Sequence, residues 1–388
     1  MKDILGLKDI GEVRGKRVLV RADFNVPVED GQVVDDYRIV KSFPTINFLR
    51  EKGAKVLLIS HIELGEMKKK DASAAKPSLL PVSEYLSKLF PVTFAKDFFS
   101  DETKGIVEKM SDGDVVLFEN LRNEPGETAN DPVFAEKLAS LGNVYVNDGF
   151  AVSHRSHASI IGVPKYIPGY AGLLLEAEIE NLTSIFHPPH PFLFILGGAK
   201  FDTKLPLIQK FLTLAEHVFV GGALANNFFK EKKLEIGTSL FSEGNFDIKD
   251  LLSDQRLVIP SDVTVRSAAR PLEKIVKKPE EVLADESILD AGPQTVADLK
   301  VLVSQAKCVL WNGPLGNYEG GFTEPTTELA KIMAESTAKT VVGGGDTLAA
   351  IASSGVEDKI SFISTGGGAM LQFLLDETLP GIEALKRK

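Results

Sequence analysis

V-V-G-G-G-D-T-L-A-A-I, residues 341–351, is the stretch on which the reading of the fold depends. Two β-branched residues end a buried strand, three glycines make a tight turn, and D-T-L-A-A-I begins a helix. Strand, glycine turn and helix in that order form one unit of a parallel sheet. I-S-T-G-G-G-A-M at 363–370 repeats the plan.

Short apolar or β-branched runs recur outward from there, at 17–20, 55–59, 92–94, 115–118 and 144–146, then at 192–196, 218–220, 257–259, 308–311, 340–342 and 360–363. Stretches of helical periodicity separate them, among them 132–141, 173–186 and 326–334. Alternation of this kind predicts parallel sheets covered on both faces. No fixed-period repeat is present, which excludes a solenoid. The 388 residues suit two domains rather than one core. H-P-P-H-P at 187–191 is the best boundary, since prolines end the preceding helix and favour extended chain. We therefore expect two doubly wound, Rossmann-like α/β domains, 1–172 and 188–375, joined by a helix over 173–187. Residues 66–77, rich in Lys and Ala, read as a mobile surface loop.

Composition narrows the function classes. A formal charge of −10 argues against non-specific nucleic-acid binding, although it leaves room for a local cluster of cations. No apolar run is long enough for a bilayer span, and the first ten residues lack a secretory h-region. The single cysteine, Cys308, excludes an intrachain disulfide and a multi-cysteine metal site, and A-K-C-V-L-W reads as core. A reducing cytoplasmic setting follows as the expectation.

In open parallel sheets ligands bind beyond the carboxyl ends of the strands. In the first half those positions carry Arg21, Asp23, Asn25, His61, Asn120, Arg122, Asn147 and Asp148, with Arg38, His154, Arg155 and His157 in nearby loops. That is a basic and polar collar on an acidic protein, suited to a compact, doubly anionic molecule. In the second half the same positions are glycine pairs or triplets: 197–198, 221–222, 343–345 and 366–368, with Asn312-Gly313 between them. Glycine lets backbone N–H groups approach a phosphate, and a following helix N-terminus adds favourable partial charge.

A single glycine turn is ordinary α/β chemistry, and five in one half weigh more. Asp346 has two compatible readings, helix cap and Mg²⁺ ligand. The histidines 154 and 157, each taken alone, read as satisfied loop residues, and Lys68–Lys70 as solvated surface. Arg21 is harder to dismiss, because a charge at a strand end needs a partner. G-x-x-x-x-G-K-[ST], the H-R-D and D-F-G pair, a G-x-G-x-x-G after the first strand, and H-E-x-x-H are all missing from the sequence.

Eight segments together resemble the phosphoglycerate kinase family, in its order and along nearly the whole chain. They are R-A-D-F-N-V-P at 21–27, D-D-Y-R-I at 35–39, E-N-L-R at 119–122 and N-D-G-F-A-V-S-H-R-S-H at 147–157, then L-G-G-A-K-F-D-T-K at 196–204, W-N-G-P-L-G at 311–316, G-G-G-D-T at 343–347 and S-T-G-G-G-A at 364–369. The resemblance implies reversible, Mg²⁺-dependent transfer of the acyl phosphate of 1,3-bisphosphoglycerate to ADP, giving 3-phosphoglycerate and ATP. It implies that Asp23, Phe24, Asn25, Arg38, His61, Arg122 and Arg155 bind the phosphoglycerate, with Arg21 supporting the cluster. It assigns the nucleotide to Gly198, Lys200, Lys204, Gly222, Asn312, Pro314, Glu319, Gly344, Gly345, Asp346 and Thr347, and the metal to Asp346. Arg38, Lys204 and the N–H groups near Gly344 and Gly367 are the expected transfer groups. Residues 173–186 and Ser364-Thr365 are the expected hinges. L-P-G-I-E-A-L at 379–385 resembles the family's C-terminal tail, which assigns 376–388 to the first domain. Small-molecule substrates, no nucleic acid, no membrane and a monomer complete the expectation.

One segment departs. The family shows S-H-L-G-R-P where this chain has S-H-I-E-L-G-E-M at 60–67. The arginine expected at Leu64 is gone, and Glu63 and Glu66 add negative charge. A non-catalytic nucleotide-binding relative, or a kinase for another small phosphorylated acid, are the alternatives this loop raises. Retention of Arg38, Lys204 and Asp346 favours the active enzyme.

Overall fold

The computed structural model describes residues 4–63 and 76–387. Leu64, Glu66 and Lys68–Lys70 lie outside the described residues. Contacts divide the chain into two compact units, 1–180 with 376–388, and 181–375. The division falls inside the helix Leu173–Thr183, which a 3-10 turn, Ser184–Phe186, follows.

The first unit is built on six parallel strands. Their order across the sheet is Thr93–Ala95, Val115–Phe118, Lys55–Ile59, Arg17–Arg21, Val144–Asn147 and Gly169–Ala171. Strands such as Val115–Phe118 and Val144–Asn147 are buried at every residue, as parallel strands covered on both faces must be. Chain order reverses between Arg17–Arg21 and Val144–Asn147, which makes their carboxyl ends the switch point where a ligand crevice forms. Helices are seated by local chemistry. Asp131 accepts a hydrogen bond from the Phe134 N–H at 2.7 Å and caps Pro132–Ser140. Asp148 accepts from the Leu174 N–H at 3.0 Å and the Thr45 hydroxyl at 2.8 Å, and so fixes the start of Leu173–Thr183.

The second unit orders its parallel strands Leu257–Val258, His217–Val220, Phe192–Leu196, Cys308–Asn312, Lys339–Gly343 and Phe362–Ile363. Numbered along the chain this is 3-2-1-4-5-6, the doubly wound nucleotide-binding order. Its switch point lies between Phe192–Leu196 and Cys308–Asn312. Trp311 is fully buried there, and its indole N–H donates to the Gly313 carbonyl at 2.8 Å. Cys308 is buried core, and burial pushes its thiol pKa up to about 11.

Both expected parallel sheets are present. What the periodicity missed is a three-stranded antiparallel sheet, Val263–Ser267, Arg270–Lys277 and Glu286–Ala291, inserted before the helix Pro293–Gln305. Arg270–Lys277 is mostly exposed, so its sequence shows no apolar run for periodicity to detect. Its inner partners Val263 and Val265 pack with Ala225 and Phe229 in a separate small core.

Candidate active site

In the first unit the site grows from the end of Arg17–Arg21. Arg21 is fully buried. Its Nε donates to the Ser159 hydroxyl at 2.9 Å, one Nη to the Ala22 carbonyl, and the other meets His61 Nδ1 at 3.2 Å. The Ser159 hydroxyl in turn donates to Glu127 at 2.6 Å, and the Ser159 N–H donates to the same carboxylate at 2.8 Å. Arg21 is therefore compensated from within. It is a strut of the site and has no free face for a ligand.

His61 sits among Arg21, Arg122, Arg38 and His157. Burial first, then those charges, hold it well below the ordinary histidine pKa, so it is neutral at pH 7. Arg38 is a third exposed. Its Nη1 lies 3.2 Å from the buried Asp23 carboxylate and donates to the Asn25 carbonyl at 3.0 Å. Phe24 is buried, and its N–H donates to the Ser60 hydroxyl at 2.8 Å, which places the backbone of 23–25 over the strand end. Arg122 reaches Glu63 at 3.1 Å. Arg155 is exposed, beside His154 and His157, and His157 is depressed to about 4, by burial first and then by Arg122, Arg21 and Arg155.

Cations outnumber their carboxylates on this collar, and several groups are left with spare capacity. Among the described residues, Arg122 Nε and the Nδ1 atoms of His154 and His157 are buried and make no hydrogen bond. Of these, the Arg122 guanidinium, permanently charged, is the one that suits an arriving anion, since both histidines are held neutral. Asn147 and Asp148, which follow a strand as site residues do, are instead structural. Asn147 bonds Ser153 and the Gly149 N–H, and Asp148 seats a helix. Glu127 and Ser159 escaped sequence reading, since P-G-E-T carries no sign of a charge buried against a strand 106 residues away.

The second unit uses backbone where the first uses side chains. Gly197-Gly198, Gly221-Gly222 and Gly313-Pro314 converge at the switch point. Gly222 has φ +61°, and a Cβ there would stand 2.8 Å from the Gly198 nitrogen, so only glycine lets the two loops meet. Gly344 has φ +108° and begins the helix Gly345–Ser354 without a capping side chain, which leaves first-turn N–H groups for a ligand. A Cβ on Gly367, first residue of Gly367–Asp376, would lie 3.7 Å from the Gly344 Cα, so two helix N-termini approach one point.

Lys204, on the helix Phe201–Leu212, donates to the Gly197 carbonyl at 2.6 Å. Burial lowers its pKa from 10.5 to about 8, against a smaller opposing pull from Asp346. Asp346 is half-buried, and burial, then Glu319, raise its pKa, while Lys204 draws it down. Thr347 is buried and accepts from the Gly313 N–H at 2.9 Å. Lys200 is exposed at the N-cap of Phe201–Leu212.

A cavity of about 400 Å³ opens beside these groups. Of the sequence-derived nucleotide set, Gly198, Gly222, Pro314, Glu319 and Asp346 line it, whereas Lys200, Lys204, Gly344 and Gly345 do not, and Asn312 and Thr347 are buried. Its remaining wall mixes apolar side chains, Phe229, Leu240, Val263, Ile288 and Leu289, with polar ones such as Asn226, Ser287 and Asp290, and part of it comes from the antiparallel insertion. Sequence reading missed that wall together with the insertion. A slot that combines glycine turns, apolar side chains and a few polar groups has the chemistry of a small-molecule site.

Comparison with known proteins agrees. A family model described as phosphoglycerate kinase matches residues 7–377. The phosphoglycerate kinase of Dictyoglomus turgidum is 40% identical over 398 residues, covering 100% of this chain and 99% of that one. That of Lactobacillus acidophilus is 42% identical, covering 97% and 98%. The solved structure of phosphoglycerate kinase from Coxiella burnetii is 35% identical, covers 98% of each chain and superposes with a TM-score of 0.81. Family, relatives and both switch-point sites lead to one statement: the chain belongs to the phosphoglycerate kinase family.

Proposed function

We propose that the chain catalyses reversible transfer of the acyl phosphate of 1,3-bisphosphoglycerate to ADP, yielding 3-phosphoglycerate and ATP. The observation that carries this reading is the pairing of two complementary anion sites, a guanidinium collar at one switch point and bare helix N-termini with Lys204 at the other. Alternatives lacking catalysis have no use for Arg38, Lys204 and Asp346 together.

In this reading the first unit holds the phosphoglycerate. Arg38, Arg122 and Arg155 meet its negative groups, and Asp23 and Asn25 orient Arg38. Neutral His61 keeps Arg21 in place. The second unit holds the nucleotide, its base in the slot, its ribose near Glu319, and its phosphates at Lys200, Lys204, Gly344 and Gly345. The transferring phosphoryl group spreads charge over its equatorial oxygens, so the barrier falls chiefly through fixed donors aimed at them. Lys204, Arg38 and N–H groups near Gly344 and Gly367 are those donors. The chain supplies no general base, because carboxylate and phosphate are already ionised.

Asp346 is the residue that would hold Mg²⁺. Among the described residues no group of three or more His, Cys, Asp or Glu is placed to hold a metal ion, and one half-buried carboxylate suits an ion that takes its other ligands from phosphates and water. When bound, Mg²⁺ would neutralise charge on the nucleotide phosphates. Transfer between groups held on two units requires that the units bring them together, and 173–186 with Ser364-Thr365 are the proposed hinges. The reading carries with it a monomer in the cytoplasm. No described helix is long and apolar enough to cross a membrane.

The test is ATP- and Mg²⁺-dependent phosphorylation of 3-phosphoglycerate, followed by reductive consumption of the product. Turnover that disappears in Lys204→Ala is the expected result. No turnover at saturating 3-phosphoglycerate, despite nucleotide binding, would overturn the reading.

A further inference from the structure

Glu63 and Arg122 are presented side by side by one buried amide. The Asn120 side-chain oxygen accepts from both the Ile62 N–H at 3.2 Å and the Arg122 N–H at 3.0 Å, while its NH₂ donates to the Ile62 carbonyl at 2.8 Å. The Glu63 N–H is tied separately to the Asn25 side-chain oxygen at 3.0 Å. Backbone on both sides is thus clamped before either side chain is placed. The resulting carboxylate–guanidinium contact, at 3.1 Å, joins a side chain 35% exposed to one 24% exposed. Both partners remain reachable from solvent.

We infer that Glu63 is a specificity-determining residue that occupies Arg122 as an internal stand-in for an anion, so that phosphoglycerate must displace a carboxylate of the chain itself in order to bind. The inference rests on the assignment of the collar to phosphoglycerate. Its physical content is a competition. Arg122 presents a fork of N–H donors, of which Nη1 is engaged by Glu63 and Nε is buried with no hydrogen-bond partner among the described residues. An incoming phosphate finds a partly neutralised guanidinium and a negative neighbour. Glu63 therefore weakens binding of doubly anionic molecules, and weakens it more for higher charge. It selects against adventitious phosphates at the cost of a higher KM for the substrate.

Steady-state kinetics of Glu63→Gln, which keeps the shape and removes the charge, decide the matter. An exposed ion pair is worth a fraction of a kcal/mol to about 1, so the KM for 3-phosphoglycerate should fall about two- to fivefold while the KM for ATP holds. Glu63→Asp, one methylene shorter with the charge retained, should fall between. On an Arg122→Ala background the gain from Glu63→Gln should vanish, which a merely structural role for Glu63 would not produce. A KM for 3-phosphoglycerate that is unchanged or raised in Glu63→Gln overturns the inference and leaves the kinase reading intact. If the wild type shows no turnover, the kinase reading fails instead. Direct calorimetric titration with 3-phosphoglycerate then decides the inference alone, with tighter binding to Glu63→Gln supporting it and equal or weaker binding overturning it.

Discussion

The two units share an architecture and solve one problem in opposite ways. Both place a site where chain order reverses in a parallel sheet. In the first, charged side chains at the strand ends hold one another: Arg21 leans on Ser159 and Glu127, Arg38 on Asp23, Arg122 on Glu63. In the second the strand ends are stripped to glycine, and two helix N-termini approach one point, with a largely buried lysine held on the Gly197 carbonyl. Side-chain sites give shape-specific, bidentate recognition of a small rigid anion, and they need internal counter-ions while empty. Backbone sites tolerate a long, flexible polyphosphate and need only the room that glycine leaves.

That contrast can be broken at its strongest point first. Lys204→Ala and Arg38→Ala each remove a proposed donor to the transferring group, and each should cost on the order of 10²–10³ in kcat. Equal losses would place one donor on each side of the reaction, and a loss below tenfold in either would remove that residue from the transfer step. Gly222→Ala forces a side chain into the left-handed region and against Gly198. Strain of about 1–2 kcal/mol predicts roughly tenfold or greater weakening of ADP binding by calorimetry, with 3-phosphoglycerate binding preserved.

A pH profile sharpens the comparison further. The proposed role of Lys204 needs its cationic form, and burial lowers its pKa to about 8, so that charge is lost as pH rises past that value. The kcat/KM for nucleotide should therefore fall above about pH 8 in the wild type, and a flat profile to pH 10 would contradict the burial of Lys204. His61 should contribute no limb near neutrality, because it is already neutral there.

The smallest expected effect is on stability. Burial pushes Asp148 up from 3.8 to about 7. The folded state then holds a proton that the unfolded state releases, so folding is favoured at low pH and loses that advantage as pH rises from about 4 to about 7. Asp148→Asn removes the titration, so its melting temperature relative to wild type should climb by a few degrees between pH 5 and pH 8. A constant difference would show that Asp148 is ionised in the fold.

Much of this was legible in the chain. Apolar runs separated by helical periodicity made both parallel sheets legible, because strands buried on both faces read as continuous apolar runs, and in the second unit glycine pairs at their ends added the turns. His61 and Arg122 were legible because they closely follow buried strands, whereas Arg38 and Lys204, which lie in helices, were legible through the family's segments D-D-Y-R-I and L-G-G-A-K-F-D-T-K. What escaped depends on partners far apart in sequence. Glu127 is tied to Arg21 through Ser159, and Glu63 meets Arg122 only because Asn120 clamps both backbones. Part of the wall of the nucleotide slot escaped with the antiparallel insertion, whose outer strand faces solvent and carries a polar sequence.

The division of labour between the units is the central claim, and paired calorimetry tests it most directly. ADP with Mg²⁺ and 3-phosphoglycerate would each be titrated into wild type, Arg38→Ala and Lys204→Ala. The account predicts that Arg38→Ala loses affinity for 3-phosphoglycerate while keeping ADP, and that Lys204→Ala does the reverse. Loss of both ligands in either variant, or the opposite assignment, would contradict it.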